Sequence, residues 1–384
     1  MKRNRINLAV VGLGFGNAFV PIYQQHPDVD EVTICDTDSA RLERCSVNNN
    51  VKKHTTDFDA VLNNSEIDAV HLVSGIPDHA KQTLAVLNAG KHCACTVPMA
   101  VSIEDLHAIV ELQRKTGLKY MMMETQIYSR EFLYLQEMHS KGAFGHIQFL
   151  RGAHYQDMEN WPPYWAGLPP MWYATHAISP LLFLSQTFAR KVHCIGSGYM
   201  RPELQKQYNN PYPIETAIFE LANSETPLSM EVTRALYHSA RAYSESFNVY
   251  GEDVAFEWQQ TGSEKPLIFR LSGLGEKNGP RVTTEERIEI PDYADRLPSE
   301  IAPFTGIIKD ETPQDHPARL HGGGHGGSHP HLVHEFVRSI IENRDPTLNA
   351  VKSAQITAAG ICAHESAMKN GAGVIIPNFE NNDS

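Results

Sequence analysis

The chain has 384 residues, with 33 Lys+Arg against 45 Asp+Glu and a formal net charge of −12. That balance argues against a general nucleic-acid or anionic-membrane surface. A hydrophobic fraction of 41% with 20% charged residues argues against a disordered chain, and the length suggests two domains.

The start is basic and then apolar, like a signal peptide, but it runs directly into a glycine motif with no small-residue cleavage site. No run approaches the roughly 18 apolar residues of a membrane span. The reading is therefore a cytoplasmic protein. Ile6 to Val11 is an apolar, β-branched run and predicts a buried parallel strand ending at Gly12. A helix is expected from about Asn17 to Gln25, a strand over Glu31–Cys35, and a helix over Ser39–Cys45. The pattern continues with helix Phe58–Leu62, strand Ala69–Val73, helix His79–Ala89 stopped by Gly90, and strand Lys91–Thr96. Helix Ile103–Thr116, ended by Gly117, and strand Lys119–Glu124 complete it. Such alternation implies an α/β fold with a doubly wound parallel sheet over residues 1–124.

The rhythm changes over residues 125–384. Helix Arg130–Lys141 leads to strand Ile147–His154, then an aromatic, proline-rich loop over Asp157–Pro170 and helix Ala174–Ser185. Strands follow at Lys191–Gly198, Ile214–Leu221, Leu228–Ala235 and Ser246–Gln260, the last with a turn at Gly251–Asp253. Residues 275–315 read as irregular surface loops, and His331–Glu342 and Ser353–Lys369 as helices. This predicts an α+β domain with an open, mostly antiparallel sheet. An open sheet needs cover, so a homodimer or homotetramer is expected. The six cysteines have no framework spacing and read as buried free thiols.

Gly12, Gly14 and Gly16, with Phe15 among them, sit between a predicted strand and helix. Glycines there allow a tight turn and a close approach to a pyrophosphate. The spacing is G-x-G-x-G rather than G-x-G-x-x-G. Asp36 closes the second strand, where a carboxylate can accept ribose hydroxyls and repel a 2′-phosphate. These features together predict a Rossmann domain that prefers NAD to NADP.

These residues, with the change of architecture after Glu124, resemble the Gfo/Idh/MocA group, relatives of glucose–fructose oxidoreductase and inositol dehydrogenase. The resemblance implies that Ser74, Pro77 and His79 flank the cofactor after the fourth strand. Thr96, Val97 and Pro98 lie where typical members carry Glu-Lys-Pro, so Val97 replaces the lysine that usually positions the reacting hydroxyl. Thr125, just past the domain's last strand, completes the implied cofactor contacts. A subgroup also lacks that lysine: NAD-dependent glycoside hydrolases acting as α-N-acetylgalactosaminidases. The chain is similar to them at Thr96–Val101, at Met122–Glu124 before Tyr128–Arg130, at Tyr173–His176 followed by Pro180, and at His325–Gly327. It departs from them at Ser328–His329–Pro330, where they carry a Met-Asp pair.

Tyr173 and His176 stand three residues apart, which places them on one helical face. Phenol and imidazole can pass protons to and from a sugar hydroxyl, so both are candidate catalytic residues. Aromatic faces with scattered acids suit sugar binding or, equally, a packed loop; the candidate substrate contacts are Asp157, Trp161, Trp165 and Trp172, with His154, Tyr155 and Tyr128. His321, His325, His329, His331 and His334 form a dense run with glycines. It reads as a substrate-contacting loop through His325 rather than as a metal site, because no Cys or Asp completes a ligand set. The expectation is an NAD-dependent enzyme acting on a carbohydrate or glycoside by hydride transfer at a ring carbon, C3 of a hexose. It works either as a redox-neutral glycosidase or as a net dehydrogenase. An NAD- or sugar-sensing protein that kept the fold and lost its chemistry is the non-enzymatic alternative, supported by Val97.

Overall fold

The computed structural model describes residues 5–222, 226–273, 275, 277–279, 281–306 and 323–380. The chain forms two compact units. One takes Met1–Arg130, Asp292–Thr357 and Phe379–Ser384; the other takes Glu131–Pro291 and Ala358–Asn378.

The first unit is built on six strands: β1 (Ile6–Val11), β2 (Val29–Cys35), β3 (Lys53–Thr55), β4 (Ala69–Leu72), β5 (His92–Cys95) and β6 (Tyr120–Met122). They lie in the order β3-β2-β1-β4-β5-β6 and every pair is parallel. β4 is buried at every position, as a strand covered on both faces must be. The helices follow their capping residues. The Asp38 side chain accepts from the Ala40 and Arg41 amides to start Ser39–Asn49. Ser102 caps Ile103–Thr116, and Gly117 ends it at φ 67°. One local expectation fails: the glycine turn is not followed by a single helix from Asn17. Two short helical segments, Leu13–Gly16 and Val20–Gln25, take its place.

The second unit carries β7 (Ile147–Tyr155), β8 (Ala189–Ser197), β9 (Ile214–Leu221), β10 (Ser229–Ala235), β11 (Ser244–Gly251), β12 (Val254–Glu257), β13 (Leu267–Leu271), β14 (Thr283–Arg287) and β15 (Val374–Ile375). Their order is β14-β13-β12-β11-β7-β10-β9-β8-β15, with only β7 and β10 parallel among the pairs. The expected open, mostly antiparallel sheet is present. The run read as Ser246–Gln260 is the hairpin β11–β12, and β14 lies in the stretch read as irregular. Helix Thr175–Ser185 packs on β7, β10 and β11. It comes so close that a Cβ at Gly152 would stand 2.2 Å from the Ala177 carbonyl oxygen, so glycine is what permits the contact. Phe247 and Phe256 are buried on the same face, each contributing roughly 1.5–3 kcal/mol. Among the described residues no helix is long and apolar enough to cross a membrane.

Candidate active site

In the first unit the glycine turn meets the end of β4. Gly12 has φ 89°, and a Cβ there would lie 2.5 Å from the Val73 carbonyl oxygen. Any side chain would push the two strand ends apart. Gly16 faces Val10 and Val73 side chains at 3.1–3.3 Å, whereas Gly14 has nothing within 4 Å, leaving room for a phosphate. Phe15 is held edge-on by the rings of Phe19, His325 and His329, at 5.4–5.5 Å.

Asp36 is buried at the end of β2. Its carboxylate accepts from the Leu13 amide at 2.7 Å and the Asp38 amide at 2.8 Å, and it pairs with Arg41 at 3.1 Å. The predicted ribose ligand therefore also braces the glycine turn. Ser74 and Pro77 lie in the loop and short 3-10 turn after β4. His79 is buried with Nδ1 2.7 Å from the Pro98 carbonyl oxygen and Nε2 3.1 Å from that of Ser74. Burial disfavours the charged ring. The Cys95 sulfur and these two carbonyls favour it, and the balance pushes His79 up to about 9. His79 thus staples the Ser74 loop to the Thr96–Val97–Pro98 segment. Val97 is itself buried, and so is Thr125. The close approach at Gly12, the open Gly14 and the acid of Asp36 fit a dinucleotide.

In the second unit Tyr173 ends the 3-10 turn Pro170–Tyr173, and His176 lies in the first turn of Thr175–Ser185. Their rings meet edge-on, centroids 5.5 Å apart. His154 comes from the end of β7, 5.4 Å from the His176 ring and 6.0 Å from the Tyr173 ring. Trp165 closes on Tyr173 at 4.8 Å. Tyr173, His176, His154 and Trp165 therefore converge. The other expected contacts lie further out. Trp161 is exposed and meets Trp165 at 6.2 Å. Tyr155 carries Arg241 over its ring, and Asp157 is exposed. Trp172 turns instead to Tyr208 and His364, at 5.9 and 5.8 Å.

Tyr128 and His325 belong to the first unit. Tyr128 packs on that unit's core, and burial holds its phenol well above the usual range. His325 sits in helix Gly323–Ile341, where a loop was expected, against Phe15 and 3.3 Å from His329. The glycines beside it serve packing. Arg130 donates to the Gly326 and Thr305 carbonyls, and a Cβ at Gly327, φ 83°, would lie 2.8 Å from the Thr305 oxygen. Among the described residues no group of three or more His, Cys, Asp or Glu could hold a metal; His321 lies outside the described residues.

Sequence reasoning passed over four buried ionisable residues under this cluster. In the sheet register Glu245 (β11) pairs with His154 (β7), His154 with Arg234 (β10), and Arg234 with Glu215 (β9), so one row of charge crosses four adjacent strands. Arg234 is fully buried. It donates to the Tyr173 carbonyl at 2.8 Å, the His154 carbonyl at 3.2 Å, the Ala235 carbonyl, and Gln156 Oε1 at 3.0 Å. Its guanidinium lies 5.4 Å from the Tyr173 ring centre. Burial pulls Arg234 down to about 10, against the opposing pull of Tyr173 and Glu245. Glu215 accepts from the Met171 amide at 2.9 Å and lies 2.7 Å from Nδ1 of His364, the fourth overlooked residue. The signal was present in the pattern. Glu215, Arg234 and Glu245 each stand in phase with the apolar inward positions of their strands.

Residues 6–124 match the model of an oxidoreductase family described by its NAD-binding Rossmann fold, the GFO_IDH_MocA family. The chain is 25% identical over 231 residues to a glycosyl hydrolase family 109 protein of Phocaeicola vulgatus, spanning 54% of this chain and 49% of that one. It thus covers about half the length of that relative. A glycosyl hydrolase family 109 protein of Saccharopolyspora erythraea is 20% identical, with 97% of this chain and 83% of that one aligned. Among solved structures, a levoglucosan dehydrogenase in complex with NADH and levoglucosan superimposes with a TM-score of 0.75. It is 19% identical, over 97% of this chain and all of that one, and shares the fold.

Proposed function

The N-terminal domain places this chain in the Gfo/Idh/MocA oxidoreductase family, and from that premise we propose that it is an NAD-dependent enzyme acting on a carbohydrate or glycoside. The observation that carries the reading is the convergence of Tyr173, His176 and His154 beneath Trp165. An aromatic face suits the C–H face of a sugar, and three proton-carrying rings suit its hydroxyls.

Gly12, Gly14, Phe15, Gly16, Asp36, Ser74, Pro77, His79, Thr96, Val97, Pro98 and Thr125 would hold NAD, with NAD favoured over NADP by the Asp36 carboxylate. When bound, NAD supplies an acceptor for a hydride from a ring carbon, C3 of a hexose unit. Tyr173 or His176 takes the hydroxyl proton. A keto group at C3 would acidify the C2 proton, so a base at C2 would let the C1 substituent leave; water would add in its place, and return of the hydride to C3 would restore the hydroxyl. The lysine position is filled by Val97, which carries no proton, and this favours a redox-neutral glycosidase over a net dehydrogenase. Trp161, Trp165, Trp172, Tyr155 and Asp157 are the substrate contacts on this reading. The open sheet, with Ile195 and Ile218 exposed on its strands, suits a homodimer or homotetramer.

The test is a screen of sugars and aryl glycosides with and without added NAD. Glycoside cleavage without stoichiometric NAD supports the reading. Binding of sugars with neither cleavage nor NADH formation would favour a sensor.

A further inference from the structure

We propose that Glu245 is the positioning residue of His176: a buried carboxylate that favours the charged form of that ring and so lets it hold a substrate proton. The proposal rests on the carbohydrate reading above for its chemical purpose, though the pairing itself does not depend on that reading.

Glu245 is only 5% exposed. A single oxygen, Oε1, lies 3.7 Å from His176 Nε2 and 3.6 Å from His154 Nε2, and the Tyr243 hydroxyl donates to that same oxygen. The groups that face it come from every neighbouring element. His154 projects from β7, His176 from helix Thr175–Ser185, Arg234 from β10, Tyr243 from the position just before β11, and Tyr173, beside both imidazoles, from the 3-10 turn. A buried carboxylate needs compensating charge, or its desolvation costs several kcal/mol. Arg234 directs hydrogen bonds to carbonyls and to Gln156, while at Glu245 the Tyr243 hydroxyl donates to Oε1 and the two imidazoles stand within ion-pair distance of it.

Two rings against one carboxylate oxygen make a store for one proton. The first ring to be charged is paired with Glu245, and a second cation 5.4 Å away would be repelled. When the substrate O–H bond breaks, its proton passes to His176 and the imidazolium is neutralised by Glu245. Reversal returns the same proton to oxygen. A cycle that begins with oxidation and ends with reduction needs such a closed account of protons.

The experiment follows the histidine ring signals by NMR across pH in the ¹⁵N-labelled full-length protein, without substrate. Glu245→Gln keeps the shape and removes the charge. The His176 titration midpoint is expected to fall by about one pH unit or more, roughly tenfold in proton affinity. Tyr243→Phe removes a competing donor from Oε1 and is expected to raise the midpoint, which keeps the test open even if the Gln variant folds poorly. Glu245→Asp should recover part of the loss. A His176 midpoint unmoved in Glu245→Gln, or unmoved in Tyr243→Phe, overturns the pairing. The titration needs no turnover, so its outcome is separate from that of the carbohydrate screen. If glycosides are cleaved yet the midpoints do not move, the function stands and the role of Glu245 falls.

Discussion

Arg234 and Glu215 lie directly opposite each other on β10 and β9, both fully buried, and each grips one end of the turn that carries Tyr173. Arg234 holds the Tyr173 carbonyl; Glu215 holds the Met171 amide and is braced by His364. Arg234→Leu removes a charged donor from three backbone carbonyls and from Gln156 and should cost about 3–5 kcal/mol. Arg234→Lys keeps the charge but loses the planar fork, and should fall between. Glu215→Gln, which retains an acceptor for Met171, should cost about 1–3 kcal/mol. Urea unfolding of each variant measures this, and an Arg234→Leu protein as stable as the parent would contradict it.

Asp36 braces the Leu13 amide, and on the proposed reading it also faces the cofactor ribose. Asp36→Ala should narrow the preference for NAD over NADP and also release Arg41, now 3.1 Å away, toward a 2′-phosphate. Calorimetry on both cofactors checks it. Equal affinities in the parent protein would defeat the assignment.

Acid should loosen the first unit through its buried imidazoles. Burial lowers His71 to about 3. It also lowers His26 to about 4, helped by His334, and His331 to about 4, helped by Arg296. Because these folded values lie below the unfolded one near 6.5, the unfolded chain binds protons first. Stability is intact above about pH 6.5 and falls with pH toward 3–4, by up to ~1.4 kcal/mol per unit and per group. His71→Gln should make the slope of stability against pH shallower between about 6 and 4. An unchanged slope would show that His71 is not titrating with unfolding.

Val97 is 7% exposed, so the ammonium of Val97→Lys would enter a dry site. If Tyr173 and His176 already carry the proton, net NADH production should rise by far less than the hundredfold or more a new acid–base group can supply. A gain of that size would mark the site as a damaged ordinary dehydrogenase.

Much of the fold was legible because the sequence repeats simple physical signals. Ile103–Thr116 and Ile214–Leu221 match their expected bounds, the first ended by Gly117. β14 was illegible because Thr283–Arg287 is exposed at every position and shows no period. The start of helix Gly323–Ile341 was hidden by glycines that disfavour helix, here needed where Gly327 meets the Thr305 oxygen. At the candidate site, Tyr173 and His176 stand out near loops. Glu245, Arg234 and Glu215 sit inside strands, where chemistry was not sought; yet a charge in the inward phase of an alternating strand is costly and signals a partner.

In the proposed glycosidase cycle a retained cofactor oxidises and then reduces the same sugar. It is tested most directly by turning over an aryl glycoside in deuterated water without added NAD. Deuterium should appear at C2 of the recovered sugar with no accumulation of NADH, and Tyr173→Phe and His176→Ala should each slow the exchange by roughly a hundredfold or more. NADH formed one-for-one with a keto sugar upon adding NAD, with the C2 proton retained, would contradict it.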